Sequence, residues 1–259
     1  AETLEDLIAN QNFSPAAAIH EIENHPEKYG EFGVRICRQT LYSYVGKGIF
    51  LHLTTKDLPF RGSRQKKKTQ HIHRMKSTSS GDSIEKRPEK VNRREEFGHW
   101  EMDLVVSCRG GKKCLLVLTE RTAPQEIMIL IPDKTRESVV QALDRLERRY
   151  GKMFPAIFKT ITVDNGGEFS DCEGMERSVF KSRGRRTKIY YCHPYCSSER
   201  GSNEKQNQMI RRKFPKGTNF DKVSQKEVKV VEEWLNSYPR KSLGWKSAND
   251  VFQELIAAI

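Results

Sequence analysis

Three carboxylates in this chain are placed as phosphodiester chemistry would need them. Asp164 closes the apolar run Ile161-Thr162-Val163 and is followed at once by the turn residues Asn165-Gly166-Gly167. Asp103 ends the alternating stretch Trp100-Glu101-Met102, and Glu204 lies downstream in a segment with helical character. Two divalent ions about 4 Å apart can activate an attacking hydroxyl and stabilise a departing oxygen, and carboxylates are the hard ligands such ions take. Acids at the ends of neighbouring strands, joined by one from a helix, form such a set. Asp103 and Asp164 would share one ion, and Glu204 would reach the second from the side. Other acids compete for these roles. Glu101 shares a strand face with Asp103, Glu199 precedes Glu204 by five positions in a loop, and Glu168 reads as a surface residue that could assist.

The elements that must position these acids are legible from periodicity. Residues 100–106 alternate as a strand, and Cys114–Leu118 and Glu126–Ile131 supply two further strands. A helix follows Thr135 through Val139, Leu143, Leu146 and Tyr150, ending at Gly151. Phe158–Val163 and Lys188–Cys192 read as the fourth and fifth strands. Ser202 is a candidate cap for a helix reaching Phe214, and a further amphipathic helix spans Ser224 to Ser237. Three meandering strands followed by helix-linked strands predict an α/β fold: a ribonuclease H-like mixed five-stranded sheet flanked by helices.

Composition agrees with an anionic partner. The 259 residues carry 46 basic and 34 acidic side chains, a net charge of +12. The excess is uneven: residues 1–60 sum to −3, residues 61–97 to +7 and residues 98–259 to +8. Three domains are therefore expected: a small helical module over 1–60, a basic flexible linker over 61–97, and a core over 98–259. No apolar stretch approaches a membrane span. The six cysteines form no paired CxxC spacing, so a reducing cytoplasmic setting is expected. Cys192 and Cys196 bracket His193, but a structural zinc site wants four ligands at tighter spacing; Cys192 reads as a buried strand end. Trp234, Tyr238 and Trp245 read as core or as packing against the last helix.

The first module shows Leu4, Leu7 and Ile8 on one helical face, a Ser14-Pro15 helix start, and a third helix from Arg38 to Val45 that stops at Gly46. This order fits a helix-turn-helix, whose second helix enters the major groove. Arg38, Gln39 and Thr40 would face the groove. Lys66, Lys67 and Lys68 in the linker would lie along phosphates with salt-sensitive affinity; His71 and His73 belong to the same arm. Arg200, Asn203 and Lys205 flank the acids, and Arg211, Arg212 and Lys213 extend a basic strip.

Six strings occur in an order that resembles the insertion-sequence-30 transposase family. They are Gly98-His99-Trp100-Glu101-Met102-Asp103, Val163-Asp164-Asn165-Gly166, Tyr191-Cys192-His193-Pro194-Tyr195, Arg200-Gly201-Ser202-Asn203-Glu204, Phe214-Pro215-Lys216-Gly217 and Tyr238-Pro239-Arg240-Lys241. The similarity runs from about residue 12 to the C-terminus, and Gln39–Tyr44 resembles the family's helix-turn-helix segment. The resemblance implies a DDE-type transposase with a retroviral-integrase-like core. Its acids would fall on Asp103, Asp164 and Glu204, with two Mg²⁺ or Mn²⁺ ions. Such a protein cuts at terminal inverted repeats and joins the 3′ hydroxyl to target DNA, as at least a dimer, in the bacterial cytoplasm on the nucleoid. Relatives carry a further helix-turn-helix upstream, so a truncated N-terminus is expected. The chain departs from the family pattern at Ser198, where relatives have tryptophan, and at Lys205, where they have asparagine. Cys37 stands in place of a serine cap, a loss expected to cost ~1 kcal/mol. Two other readings stay open: a DNA-binding relic that no longer cuts, and a less specific metal-dependent nuclease of the same fold.

Overall fold

A computed structural model describes residues 1–31, 33–59, 81–180, 184–194 and 196–259. The chain divides into two compact units, Ala1–Ile72 with Tyr238–Trp245, and His73–Ser237 with Lys246–Ile259.

In the first unit, a helical stretch over Glu2–Asn10 precedes α1 (Pro15–Asn24) and α2 (Arg38–Gly46). Ser14 caps α1 by accepting from the Ala17 N–H at 3.2 Å, and Pro15 occupies the first helical position. Cys37 caps α2 after all: its sulfur accepts from the Thr40 N–H at 3.5 Å, a long contact suited to a weak sulfur acceptor. Leu7, Ile8, Ala18, Ile22, Leu41 and Val45 form the core of this unit. Tyr238 and Trp245 belong here rather than against the last helix. The Tyr238 hydroxyl accepts from the Ser14 N–H at 2.7 Å, and Trp245 stacks on His20 at 4.1 Å.

The second unit is built on a sheet of six strands rather than the expected five: β1 (Asp82–Ser83), β2 (His99–Val106), β3 (Cys114–Glu120), β4 (Glu126–Ile131), β5 (Thr160–Val163) and β6 (Lys188–Tyr191). Their order is β1-β6-β5-β2-β3-β4; β2, β3 and β4 pair antiparallel, whereas β2–β5, β5–β6 and β1–β6 are parallel. The five longer strands have the order of the ribonuclease H-like fold. The additional strand comes from residues grouped by charge with the linker. From Asp82 onward that segment is ordered against the sheet, with Ile84, Arg87, Val91 and Phe97 all buried.

The longer helices of this unit are α3 (Arg136–Tyr150), α4 (Cys172–Glu176), α5 (Gly201–Lys213), α6 (Gln225–Asn236) and α7 (Ala248–Ala257), with single turns at Glu89–Asn92 and Phe154–Ile157. Alternation along the strands divides the sheet into two faces. Trp100, Met102, Leu116, Leu118, Ile161 and Val163 pack with α3 and with Phe252 of α7. Val105, Leu115, Val117 and Met128 pack with Ile210 and Phe214 of α5 and with Val228, Val231 and Leu235 of α6. The apolar stripe of α6 accounts for three of its five buried residues; Glu232 and Asn236 are buried as well. Gln225, Glu232 and Asn236 accept from the N–H groups of Leu130, Met128 and Glu126. The helix thus supplies the acceptors that the edge strand β4 lacks on its open side.

Candidate active site

Register brings two of the three acids together. Glu101 of β2 lies beside Thr162 of the parallel β5; two residues further along stand Asp103, within β2, and Asp164, just past the end of β5. Adjacent strands lie about 4.8 Å apart, so side chains at matching positions on one face meet. Asp103 and Asp164 do so through a cation. One Arg200 guanidinium sits 3.2 Å from Asp103 Oδ1 and 2.8 Å from Asp164 Oδ2. Its side chain is 13% exposed, against 23% and 40% for the two aspartates, so the contact is partly shielded. Burial works against its charge, but the two carboxylates outweigh that and hold its pKa above the ordinary arginine value. Asp164 Oδ1 accepts from the Gly166 N–H at 2.9 Å, and Asn165 ties the turn to β6 by donating to the Cys192 carbonyl at 2.6 Å. A side chain at position 166 would have to push two carboxylates aside. A Cβ there would lie 2.9 Å from Asp164 Oδ1 and 2.7 Å from the Glu168 carboxyl carbon.

One step behind the aspartates a polar row crosses the sheet: Thr162, Glu101 and Thr119 stand in register on β5, β2 and β3. This row fixes α5. The helix begins at Gly201 with no side-chain cap of its own, so the Ser202 cap is not formed; Ser202 instead accepts from Arg94 at 2.9 Å. The missing cap is supplied from β2: Glu101 Oε2 accepts from the Asn203 N–H at 3.0 Å, in the turn where helical N–H groups lack internal partners. Its other oxygen pairs with Arg121. Thr119 donates to Asn203 Oδ1 at 2.6 Å, and Arg87 donates to Thr162 at 2.9 Å. Glu101, fully buried with both oxygens engaged, is therefore a support and not a rival ligand. Glu199 is likewise occupied, accepting from the backbone N–H and the ring of His193. Glu168 is buried and paired with Lys134 at 3.2 Å, unlike the surface residue expected.

A turn of α5 beyond Asn203, Asn207 donates to Asp103 Oδ2 at 2.8 Å. Sequence reasoning missed it, although its spacing of four from Asn203 puts both on the sheet-facing side of the helix. Its Oδ1 is buried without a hydrogen-bond partner. An orphaned buried acceptor beside a carboxylate suits an ordered water or an ion's hydration shell. Two aspartates and this amide offer oxygen donors, the type that Mg²⁺ or Mn²⁺ takes, so the chemistry of these residues is compatible with such an ion. Glu204 is exposed on the adjoining strip of α5. Among the described residues no three His, Cys, Asp or Glu side chains stand close enough to hold a metal. The arrangement thus gathers Asp103 and Asp164 and leaves Glu204 apart.

The expected DNA contacts fare unevenly. Arg38 and Gln39 are exposed on α2, whereas the Thr40 hydroxyl lies 3.2 Å from Cys37 within the cap. Tyr42 is also exposed on α2. Asn203 is buried, its Oδ1 accepting from Thr119, and that burial keeps it from presenting itself to a phosphate. Lys205 is exposed. Arg211 reaches the carbonyls of Phe214 and Pro215, and Arg212 lies over Trp234 at 5.7 Å; both help to close and pack the end of α5. Lys66, Lys67, Lys68, His71 and His73 lie outside the described residues. Cys192 is buried at the end of β6, and burial pushes its thiol up to about 12, which disfavours the thiolate that zinc needs.

No protein-family model matches the chain. It is 36% identical over 216 residues to the "probable transposase for insertion-like sequence element IS1161" of Streptococcus salivarius, covering 83% of this chain and 58% of that one. It is 31% identical over 178 residues to the transposase of insertion sequence element IS30A of Escherichia coli K12, covering 69% of this chain and 44% of that one. The chain thus spans about half the length of the relatives it matches. Among solved structures, the catalytic core domain of BIV integrase superposes with a TM-score of 0.45 at 17% identity, over 63% of this chain and 98% of that one. Among the described residues no helix is long and apolar enough to cross a membrane.

Proposed function

We infer that this chain, a sequence relative of the insertion-sequence-30 transposases, holds a polynucleotidyl-transferase site that cuts and joins DNA strands at element ends. The observation that carries this reading is the meeting of Asp103, in β2, and Asp164, just past the end of the parallel β5, around the Arg200 guanidinium. Asp103 and Asp164 would hold a divalent ion in common, and Glu204 would complete the ligands of a second. Divalent ions at such a site activate an attacking oxygen and offset charge on the leaving one. The chain's own residues do the rest. Asn207 orients the Asp103 carboxylate. Glu101 and Thr119 hold α5 against the sheet, and Glu204, exposed in its first turn, would have to move toward the pair to join it. Gly166 leaves room for the Asp164 carboxylate. Lys205 offers a phosphate contact beside the acids, and Arg38 and Gln39 of α2 meet the element ends. Two ends must be brought together for joining, so a dimer or larger assembly on DNA belongs to the same reading.

The test is strand cleavage and strand transfer on labelled duplexes carrying the element's terminal inverted repeats, with Mg²⁺ or Mn²⁺. Asp103→Asn, Asp164→Asn and Glu204→Gln should each lower activity by at least a hundredfold. Full activity in Asp164→Asn would remove the proposed site. The exposed position of Glu204 and the departures at Ser198 and Lys205 favour a second reading, a DNA-binding relic. That reading expects specific end binding with no nicking at any metal concentration. Equal cleavage of scrambled ends would instead indicate a general nuclease.

A further inference from the structure

Arg200 makes an arrangement that a divalent ion would also make. Its fork presents separate N–H groups to Asp103 Oδ1 and Asp164 Oδ2, and the same side chain reaches the Met102 carbonyl at 3.3 Å. Arg200 stands in the N-cap position of α5 but makes no side-chain cap bond to that helix; the cap comes from Glu101. The guanidinium is thus committed to the two carboxylates and that carbonyl, not to building the helix. A guanidinium is the side chain best shaped to bridge two carboxylates. Two aspartates on neighbouring strands repel each other unless a cation lies between them.

We propose that Arg200 is a built-in competitor for the divalent ion: it neutralises the Asp103–Asp164 pair, and loading the ion requires it to leave. The proposal rests on the reading of those aspartates as metal ligands. Arg200 is a positioning residue in this scheme. It keeps the two carboxylates together and compatible with folding before the ion arrives, at the cost of weakening metal affinity. Once displaced, the same guanidinium is a free cation next to the DNA backbone.

Mn²⁺ alone is the probe, titrated calorimetrically and by electron paramagnetic resonance of the free ion, with no DNA present. Arg200→Met should bind Mn²⁺ about tenfold more tightly than the parent chain, equivalent to about 1.4 kcal/mol. Without metal, Arg200→Met should melt lower than the parent, and saturating Mn²⁺ should raise its melting temperature by more than it raises the parent's. Arg200→Lys, a point charge that cannot fork between both aspartates, should fall between the two. Lys205→Met, an exposed charge on the same helix, should change affinity less than twofold. Affinity unchanged or weaker in both Arg200 variants overturns the proposal, as does equal tightening in Lys205→Met, which would mean diffuse electrostatics. Failure of the underlying site is distinguishable: there, Asp164→Asn would bind Mn²⁺ as the parent does.

Discussion

Glu101 and Asp103 sit two residues apart on one face of β2, and what each touches separates support from chemistry. Replacing Glu101 by alanine leaves Arg121, 7% exposed, without its carboxylate, and takes the acceptor from the Asn203 N–H at the start of α5. Breaking a buried pair by removing one partner costs roughly 3–5 kcal/mol, and losing a helix cap adds ~1 kcal/mol. The expected loss of ~4–6 kcal/mol is a large share of the ~5–15 kcal/mol that holds a domain together. Asp103→Asn removes only one arm of a partly exposed contact, because Arg200 keeps Asp164; its cost should stay near or below ~1 kcal/mol. Urea unfolding followed by far-ultraviolet circular dichroism reads both. With a slope of ~2 kcal/mol per molar urea, Glu101→Ala should lower the midpoint by about 2–3 M and Asp103→Asn by no more than about 0.5 M. The reverse order, or a Glu101→Ala variant within ~1 kcal/mol of the parent, would refute the division of roles.

Gly166→Ala drives a methyl group against Asp164 Oδ1 and the Glu168 carboxylate, so Mn²⁺ affinity measured by calorimetry should fall at least tenfold, while unfolding shifts by about 1–3 kcal/mol. Glu232→Ala strips the acceptor from the Met128 N–H on the edge strand; the unfolding free energy should drop by ~1–3 kcal/mol, and light scattering should show added self-association through the opened edge. Glu120, buried and receiving N–H groups from Gly98, Thr122 and Ala123, has its carboxyl pushed up to about 7 from 4.5 because burial outweighs those bonds. The folded state therefore holds this proton where the unfolded chain has released it. Stability should fall by ~3 kcal/mol as pH rises from about 4.5 to about 7, and a Glu120→Gln variant should lack that share of the slope.

What was legible in the sequence was whatever local patterning carries. Strands β2 to β6 show alternation or short β-branched runs, α3 and α6 carry their own caps and apolar stripes, and strand order alone sets Asp103 beside Asp164. The illegible parts depend on contacts between distant segments. Nothing near Glu101 says that it caps a helix a hundred residues later, and nothing near Asp103 names Asn207 or Arg200 as its partners. A two-residue strand such as Asp82–Ser83 has no period to detect, and its charged surroundings resemble a tether. Asn203 looks like a phosphate ligand from its place beside Glu204, yet the turn of the helix points it at Thr119. Cys37 was expected to forfeit a cap, but a sulfur in the right backbone geometry still accepts the bond.

The central claim, that Asp103 and Asp164 form a shared cation site, is tested most directly by anomalous diffraction from crystals soaked in Mn²⁺. The account predicts one peak between the two carboxylates, about 2.1 Å from an oxygen of each, with Arg200 turned away and Asn207 still on Asp103. Peaks only elsewhere on the chain, or none at saturating Mn²⁺ while Arg200 keeps both aspartates, would contradict it.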